Sequence, residues 1–403
     1  MKNNKFLGAE EYMGKNIIHY KGKELQICTR CIYDETVRGI SFDEEGVCSL
    51  CHTSENLKAQ YKTGTSEGEK MLMDILADVK KAGKNKKYDC VVGFSGGTDS
   101  SYMVAKLVEW GLRPLAVTYD NTWNTDIAVR NISKIIEKLN VDIETYTVDA
   151  KEIDDIFSSF LKAGVPELEA CTDLAIAEIL YRAASKHKVK YIMEGHSFIT
   201  EGISPIGSMY FDGAYIKDIH KKFGVVKMKT YPLMNFTAFM KWILFKRIKK
   251  IRPYWYMPVK KEEAREYLKK NFDWEYYGGH HLENKITAIN HTVWFPKFGI
   301  DMRNLSLAAA ARNGFMPRED AIKEYFFNSP HVDEKNMQYF LDRLNLTGEQ
   351  WQEILNQPEK CYLDYKTYKP LFEFLRPLFY VLAKANLVPM SFYLKYTSKN
   401  KGI

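Results

Sequence analysis

The sequence lacks the long apolar runs and the leader that membrane and secreted proteins carry. No stretch of the 403 residues approaches the roughly 18 consecutive apolar residues of a membrane-spanning helix, and the start, MKNNKFLGAEEYMGKN, contains no apolar run of the signal-peptide type. We therefore expect a globular, cytoplasmic protein. With 45% apolar residues, a chain of this length can form two or three packed units.

Cysteine is scarce, and its distribution excludes a disulfide framework. Of the seven cysteines, four fall into two CxxC pairs near the N-terminus, while Cys90, Cys171 and Cys361 are scattered. This usage is typical of one metal site in a reducing compartment.

The paired cysteines have the spacing of a zinc site. Sixteen residues separate the pair Cys28 and Cys31 from the pair Cys48 and Cys51, so each CxxC can offer two thiolates to one tetrahedral ion. We predict a structural Zn²⁺, with an iron–sulfur cluster or a free redox pair as alternatives. Because the protein would fill all four positions, catalysis at the metal is not expected.

Charge indicates a class of partner but does not select one. The formal net charge of +7 suits an anionic substrate, an acidic membrane surface or RNA. Residues 239–259 mix aromatic residues with six basic ones. We predict an amphipathic helix there, solvated or packed between domains, with a weak membrane-surface contact as the alternative. The tail from Lys369 is ambiguous in the same way.

Strands alternate with helices in the middle of the chain. The pattern predicts a doubly wound α/β core over about 70–225, a parallel sheet with ligands beyond the carboxyl ends of its strands. Predicted strands cover 88–94, 115–119, 143–148 and 191–194. Predicted helices cover 70–82, about 100–111, 126–139, 152–162 and 173–187.

A glycine loop, SGGTDS at 95–100, follows the first of these strands and precedes a helix. Its glycines permit a positive-φ turn that points backbone N–H groups inward as an anion nest, beside the positive end of the helix dipole. Ser95 and Ser100 can donate hydroxyls to phosphate oxygens. Asp99 would repel a pyrophosphate unless a cation lay between them, so we assign it to Mg²⁺. The P-loop signature GxxxxGKS/T and the Rossmann GxGxxG are both absent.

The loop resembles the SGGxDS loop of PP-loop pyrophosphatases, which cleave ATP between its α and β phosphates to give AMP and pyrophosphate. Relatives often carry lysine where this chain has Thr98, so a phosphate-facing positive charge should come from elsewhere. The resemblance implies ATP as cofactor and Asp99, Ser100 and His196 as catalytic residues, with a structural role as the alternative for His196. The predicted nucleotide site comprises Phe94, Ser95, Gly96, Gly97, Thr98, Asp99, Ser100, Thr118, Tyr119, Asp120, Glu194 and Gly195.

Together, the cysteine module and the loop resemble the N-acetyl sugar amidotransferase family of bacterial surface-polysaccharide (LPS) biosynthesis. Residues 28–51, 88–131 and 274–322 carry the resemblance; the last begins WEYYGGHHLENK. It implies conversion of an acetamido group on a nucleotide-linked or free sugar acid into an acetamidino group. ATP would adenylate the amide oxygen, and ammonia would then attack the imidate carbon.

The resemblance also implies domains and partners. We expect a zinc module over 1–65, an ATP-binding domain over 66–225 and a mostly helical substrate or partner region over 226–403. The chain shows no glutaminase signature, so ammonia should come from a glutaminase and barrel pair similar to that of histidine biosynthesis. No nucleic-acid partner is expected. The substrate candidates, each of which could instead be structural, are Gly278, Gly279, His280, His281, Glu283, Lys297, Asp301 and Arg303.

Two other function classes are weighed against this one. A tRNA-modifying PP-loop enzyme, performing thiolation or lysidine-type ligation, could also carry zinc-binding cysteines. Sulfur transfer, however, normally needs a thiol pair or cluster within the ATP domain, whereas Cys90 lies in a predicted strand and Cys171 stands alone. The second alternative is a non-catalytic zinc and ATP-binding scaffold, against which the intact Asp99 and Ser100 argue.

Overall fold

A computed structural model gives the fold of the chain. The residues that it describes are 9–12, 16–20, 23–37, 39–204, 209–278, 282–328, 333–385 and 387–398.

The N-terminal module contains a small sheet and one helix. Strands β1 (Ala9–Tyr12), β2 (Ile17–Tyr20) and β3 (Lys23–Gln26) form an antiparallel meander, and helix α1 spans Ser49–Tyr61. The sequence predicted only a turn-rich module here. The four-residue strands are too short to show a clear alternation, and α1 begins inside the second CxxC pair without a side-chain cap.

The central sheet has five parallel strands in the order β6-β5-β4-β7-β8. This confirms the predicted doubly wound α/β class. The chain runs outward on both sides of β4, so the switch point that commonly binds ligands lies at the carboxyl end of β4. The strands are β4 (Cys90–Gly93), β5 (Pro114–Asp120), β6 (Ile143–Thr147), β7 (Tyr191–Met193) and β8 (Lys249–Ile251).

The helices predicted around this sheet are confirmed, and local capping sets their ends. The side chains of Thr125 and Asp149 accept hydrogen bonds from backbone N–H groups at the starts of α4 and α5. Gly164 ends α5 at a φ of +71°, a conformation that favours glycine. These helices are α2 (Ser66–Ala82), α3 (Thr98–Glu109), α4 (Asp126–Leu139), α5 (Ala150–Ala163) and α6 (Ala170–Lys186). A further helix, α7 (Gly213–Phe223), was not predicted.

Residues 239–259 do not form the predicted amphipathic helix. Helix α8 (Phe236–Met240) continues as a π-helical turn (Lys241–Phe245), and the chain then forms β8 and a 3₁₀ turn (Pro253–Trp255). The backbone N–H and C=O groups of this basic segment form hydrogen bonds with the edge strand β7. This pairing is favoured over the helix that the periodicity of the segment predicts. Within the described ranges, no helix has the length and apolar content needed to cross a membrane.

The remainder of the chain is mostly helical, as predicted. Its α-helices are α9 (Lys261–Phe272), α10 (Lys285–Phe298), α11 (Arg303–Arg312), α12 (Arg318–Ile322), α13 (Glu334–Arg343), α14 (Gly348–Asn356), α15 (Lys369–Phe374), α16 (Arg376–Lys384) and α17 (Met390–Thr397).

The N-terminal module packs against helices of the C-terminal region. Buried Ile27 and Tyr33 of the N-terminal module share an apolar cluster with Ala308 of α11 and with Ile322 and Phe326 that follow it. The cysteine module is thus held against the C-terminal helices, although about 260 residues of sequence separate them. Burial of this shared apolar surface stabilises the contact.

Candidate functional site

The SGGTDS loop lies at the carboxyl end of β4 in a backbone conformation that needs glycine. Gly96 has a φ of +79°. A Cβ on it would lie 2.4 Å from the Ala128 carbonyl oxygen, so no side chain fits there. The Gly96 carbonyl accepts a hydrogen bond from Trp274 Nε1 at 3.0 Å. The loop therefore packs between Ala128 of α4 and Trp274, which follows α9.

Donors converge inside the loop. The Ser95 and Ser100 hydroxyl oxygens are 3.1 Å apart, and the backbone N–H of Gly97 donates to Ser95 Oγ at 3.3 Å. The Thr98 N–H donates to the Tyr277 hydroxyl at 3.2 Å. Phosphate oxygens can replace these local acceptors, because backbone N–H groups at a helix N-terminus favour an anion.

Because Thr98 is uncharged, the sequence analysis expected another residue to bring a positive charge to the loop. Lys261 brings such a charge. Its Nζ lies 3.1 Å from Asp99 Oδ2 and 4.0 Å from Glu201 Oε1, and its side chain is 15% exposed. It is the first residue of α9, so no local motif distinguishes it from its neighbour Lys260. A lysine here can face phosphates bound by the loop as a Thr98-position lysine would in relatives.

Glu201 and His196 adjoin this pair. Burial, and next the Asp99 carboxylate, raises the pKa of Glu201 to about 8. Desolvation, and next the Arg252 guanidinium, lowers the pKa of His196 to about 4, so the imidazole is neutral at pH 7. Its Nδ1 accepts from Trp255 Nε1 at 3.3 Å, which leaves the proton of the neutral ring on Nε2. A phosphate-side role for His196 stays a prediction.

The segment after β7 reaches the loop. Gly195 packs so closely that an added Cβ would lie 3.1 Å from the Asp99 carbonyl oxygen. Glu194 accepts from Lys250 Nζ at 2.5 Å and from Arg252 Nε at 2.9 Å. Burial opposes ionisation of Glu194, but these two cations hold its pKa well below the usual range. Glu194 is therefore part of an ion-pair network with Lys250 of β8 and with Arg252.

The end of β5 borders the same edge of the sheet. Thr118 Oγ1 donates to the carbonyl oxygen of buried Phe94 at 2.7 Å, which ties β5 to the loop. Asp120 Oδ1 accepts from the Thr122 N–H at 2.8 Å. The buried Tyr119 hydroxyl has no hydrogen-bond partner within the described residues. The predicted nucleotide residues thus lie along one edge, and their contacts with a nucleotide stay predictions.

Of the substrate candidates, Glu283 is brought to the loop. Its Oε1 lies 3.5 Å from Ser95 Oγ, and its carbonyl oxygen accepts from the Thr125 N–H at 3.0 Å. Burial raises the pKa of its carboxyl group. Gly278 has a φ of +96°, and a Cβ added to it would meet no atom of the described residues within 4 Å. Candidates Gly279, His280 and His281 lie outside the described residues.

Lys297, Asp301 and Arg303 are placed away from the loop. Lys297 Nζ donates to the carbonyl oxygens of Ile354 and Gln357 at 2.7 and 2.8 Å, at the C-terminus of α14. Arg303 pairs with buried Asp301 at 3.1 Å. These contacts join helices and favour structural roles for the three residues.

The four paired cysteines converge, as their spacing predicts. Their Sγ atoms all lie within 4.8 Å of one another and all four residues are buried. The Sγ atoms of Cys28 and Cys51 are 3.7 Å apart, and those of Cys31 and Cys48 are 3.6 Å apart. Four thiolates at the usual Zn–S length of about 2.3 Å would have sulfurs about 3.8 Å apart. The residues therefore fit a single tetrahedral ion, and a cluster with a different iron for each thiolate would need wider spacing.

Two arginines from the C-terminal helices support this cluster. Arg312 Nε of α11 donates to Cys51 Sγ at 3.2 Å, so its charge offsets part of the thiolate charge. Arg318 of α12 donates to the carbonyl oxygens of Cys28 and Cys31 at 3.1 and 3.0 Å. No sequence pattern linked these arginines to the cysteines. The four-cysteine cluster is thus part of the contact between the N-terminal module and the C-terminal helices.

We expect Lys261→Met to weaken binding of Mg·ATP about 10- to 100-fold, because a charge-assisted contact to phosphate is lost. Calorimetric titration would measure this. The control is Lys260→Met, which removes the adjacent, more exposed lysine, whose partner is Glu263 at 2.9 Å. Equal affinities in the two variants would contradict a phosphate-facing role for Lys261.

The C-terminal part of the chain matches a known protein family. Residues 259–378 match the family described as LPS biosynthesis protein WbpG-like, C-terminal domain. This match includes the whole of the 274–322 segment that carries the resemblance, and so confirms the resemblance. An uncharacterized protein of Methanocaldococcus jannaschii is 24% identical over 301 residues, which cover 74% of this chain and 92% of that protein.

Several solved structures are similar at 14% identity. NMN synthetase from Francisella tularensis has a TM-score of 0.29 and covers 72% of this chain and 95% of its own. The NH3-dependent NAD synthetase of Campylobacter jejuni has a TM-score of 0.30, with 66% and 98% covered. The U34-tRNA thiolase NcsA of Methanococcus maripaludis, with its 4Fe-4S cluster, has a TM-score of 0.33, with 80% and 98% covered.

Proposed function

Because residues 259–378 form a WbpG-like C-terminal domain, we propose that this chain is an ATP-dependent synthetase-type enzyme of LPS biosynthesis. More specifically, we propose an amidotransferase that converts the acetamido group of a sugar acid, free or nucleotide-linked, into an acetamidino group. The observation that supports it best is Lys261, a WbpG-like-domain residue whose ammonium lies beside Asp99 of the phosphate loop. We place the reaction in the cytoplasm, where thiols stay reduced.

The chemistry requires activation of a poor electrophile. The amide oxygen attacks the α-phosphorus of ATP, pyrophosphate leaves, and an O-adenylated imidate forms. Ammonia then attacks the imidate carbon, AMP leaves, and the amidine retains a proton as its cation. The backbone N–H groups of the loop, the Ser95 and Ser100 hydroxyls and Lys261 would hold the phosphates and favour the charge that develops on the leaving pyrophosphate.

Two cations belong to the proposal. Mg²⁺ bound to ATP would neutralise phosphate charge, and Asp99 is the carboxylate of the loop that would hold it. Zn²⁺ would occupy the four-cysteine site, where it fastens the N-terminal module to α11 and α12 and takes no part in the chemistry.

The tRNA-thiolation alternative finds little support in the remaining cysteines. Cys90 and Cys171 are both fully buried, and burial raises the pKa of each thiol. Neither can readily serve as a thiolate nucleophile, and the four paired cysteines fill one closed site.

The decisive experiment supplies purified chain with Mg·ATP, ammonium and a panel of N-acetylated sugar acids. The expected result is AMP in equal amount to a product about one mass unit lighter than its acceptor, since O is replaced by NH. AMP formed without a lighter sugar product, or none with any acceptor, would refute the amidotransferase chemistry.

A further expectation concerns the nitrogen source. The isolated chain should work with free ammonium, better at raised pH where more is present as NH₃, and should not release glutamate from glutamine. Glutamine hydrolysis normally needs an activated cysteine or N-terminal nucleophile, and Cys171 is buried with its thiol directed to the Leu168 carbonyl at 3.8 Å.

Glutamate release by the chain alone, with and without a separate glutaminase, is the measurement. Glutamate that is formed by the chain alone and disappears in Cys171→Ala would show a built-in glutaminase. That result would contradict the proposed two-component system, in which a glutaminase and barrel pair delivers ammonia.

A further inference from the structure

A large cavity is lined by none of the described substrate candidates. It has a volume of about 520 Å³ and is enclosed by α6, the start of α7, α8 and the C-terminal helices α15 and α17. We call it the α6–α17 cavity. Its size is typical of sites for small organic ligands. Its walls are rich in aromatic side chains, among them Phe211, Phe239, Phe392 and Tyr396.

One wall of the cavity includes residues next to the phosphate loop. Glu194 and His196, which flank Gly195 at the end of β7, line its wall. Gly195 itself is in close contact with the backbone of Asp99. A ligand in the cavity could therefore extend an acetamido group past His196 toward a nucleotide held by the loop.

Most charged groups of the wall already have partners. Lys250 and Arg252 pair with Glu194. Asp212 accepts hydrogen bonds from the Tyr210 hydroxyl at 2.5 Å and from the Tyr368 N–H at 2.6 Å. The hydrogen bonds and ion pairs of these groups lie within the protein, so we assign them a structural role in the cavity wall.

Asp173 of α6 and Lys395 of α17 differ from these groups. Within the described part of the chain, neither side chain forms a hydrogen bond or an ion pair. Lys395 Nζ lies over the Phe211 ring at 5.1 Å from its centroid. Asp173 is exposed and Lys395 is partly exposed, and both side chains line the cavity. The protein around the cavity lowers the pKa of Lys395 and raises the pKa of Asp173 to about 6.

A cation and a carboxyl group that line the same cavity without hydrogen-bond partners are both available to a ligand. A ligand with an anionic group for the ammonium and with O–H or N–H donors for the carboxylate satisfies both. Aromatic walls suit the C–H faces of a sugar ring. An acidic N-acetylated sugar has all three features, whereas a neutral sugar leaves the ammonium without an anionic partner.

We propose that the α6–α17 cavity is the acceptor-sugar site, in which Lys395 binds the anionic group and Asp173 accepts from a hydroxyl or amide N–H. This assignment rests on the proposed function for its reaction, but binding can be tested without turnover. The anionic group is a carboxylate in a free sugar acid and could be a diphosphate in a nucleotide-linked one.

The test is calorimetric titration of the full chain with N-acetylglucosaminuronic acid, its UDP-linked form and neutral N-acetylglucosamine. Lys395→Met is expected to weaken binding of the acidic sugars about 10- to 100-fold, the range for a lost charge-assisted hydrogen bond, with Mg·ATP binding unchanged. The matched control is Lys384→Met, which removes an exposed lysine of neighbouring α16. If the UDP-linked form alone loses affinity, Lys395 binds the diphosphate; if the free acid also does, it binds the carboxylate.

Three outcomes would overturn the assignment: equal binding of acidic and neutral sugars by wild type, no binding of any of the three, or equal effects of Lys395→Met and Lys384→Met. Lys395→Gln, which keeps a polar side chain of similar reach, replaces the Met variant if that variant does not fold. AMP formation in the same samples separates the two proposals. Acidic-sugar binding that depends on Lys395, without any amidine product, would support the cavity and refute the chemistry. Amidine formation that is unaffected by Lys395→Met would do the reverse.

Discussion

Asp99→Asn is expected to reduce AMP formation by about 10²- to 10³-fold, the usual effect of removing one preorganised electrostatic group from a site where charge develops. The carboxylate lies at the N-terminus of α3, with Oδ2 3.1 Å from Lys261 Nζ. Asparagine keeps its shape and hydrogen-bonding capacity but cannot hold Mg²⁺ as a charged ligand. ATP binding without divalent cations should be equal or tighter, because a negative charge beside the phosphates is gone.

Asp126→Asn is the matched control, since Asp126 also lies in the first turn of a helix beside the site. Both variants lose a similar helix-dipole interaction of about 0.3–1 kcal/mol, so their melting temperatures should be close. Steady-state AMP release with and without Mg²⁺ measures the difference. Wild-type turnover in Asp99→Asn, or AMP formed by wild type without a divalent cation, would remove the basis for assigning Asp99 to Mg²⁺.

Cys28→Ser is expected to lose the bound metal and to lower the melting temperature by at least about 5 °C, because the binding energy of a closed structural site is part of the folding free energy. The effect should extend beyond the N-terminal module. Arg312 and Arg318 contact the cysteine segment from α11 and α12, and a buried guanidinium that loses a thiolate partner is costly.

The control for this variant is Cys361→Ser. Cys361 precedes a short 3₁₀ turn, and its backbone N–H donates to Asp364 Oδ2 at 2.8 Å, a bond that serine keeps. Elemental analysis should find about one zinc per wild-type chain and per Cys361→Ser chain, the stoichiometry of one closed four-cysteine site. If Cys28→Ser keeps both its metal and its melting temperature, the four cysteines do not form a metal site.

The α/β core was predictable because its signals are local. The predicted helix over 126–139 coincides with Asp126–Leu139, where Thr125 provides a cap and Asn140 ends the helix at a φ of +50°. The strand predicted over 143–148 is Ile143–Thr147. Capping residues and periodicity act over a few positions, so they can be recognised without knowledge of the rest of the fold.

The strand β8 was not predictable in this way. Its residues carry the basic charges that indicated an amphipathic helix, and neither the edge of β7 nor the carboxylate of Glu194 is visible in the local sequence. Pairing with a parallel strand 58 residues earlier, Tyr191 with Lys249, depends on a long crossover that brings the two together. Glu194 forms ion pairs with Lys250 of β8 and with Arg252, which follows it. These pairs offset the desolvation cost of the two cations.

The sequence by itself determined the two chemical motifs of this protein. The CxxC spacing predicts a four-thiol cluster, and SGGTDS after a strand predicts a glycine turn suited to an anion, because each pattern involves only residues close in the chain. Tertiary structure alone decided what surrounds them: Lys261 at the loop, Arg312 at the cysteines, and Asp173 opposite Lys395 in one cavity. Electrostatic and apolar contacts depend on distance in space, and the residues that make these contacts are 162 to 261 positions apart in the sequence.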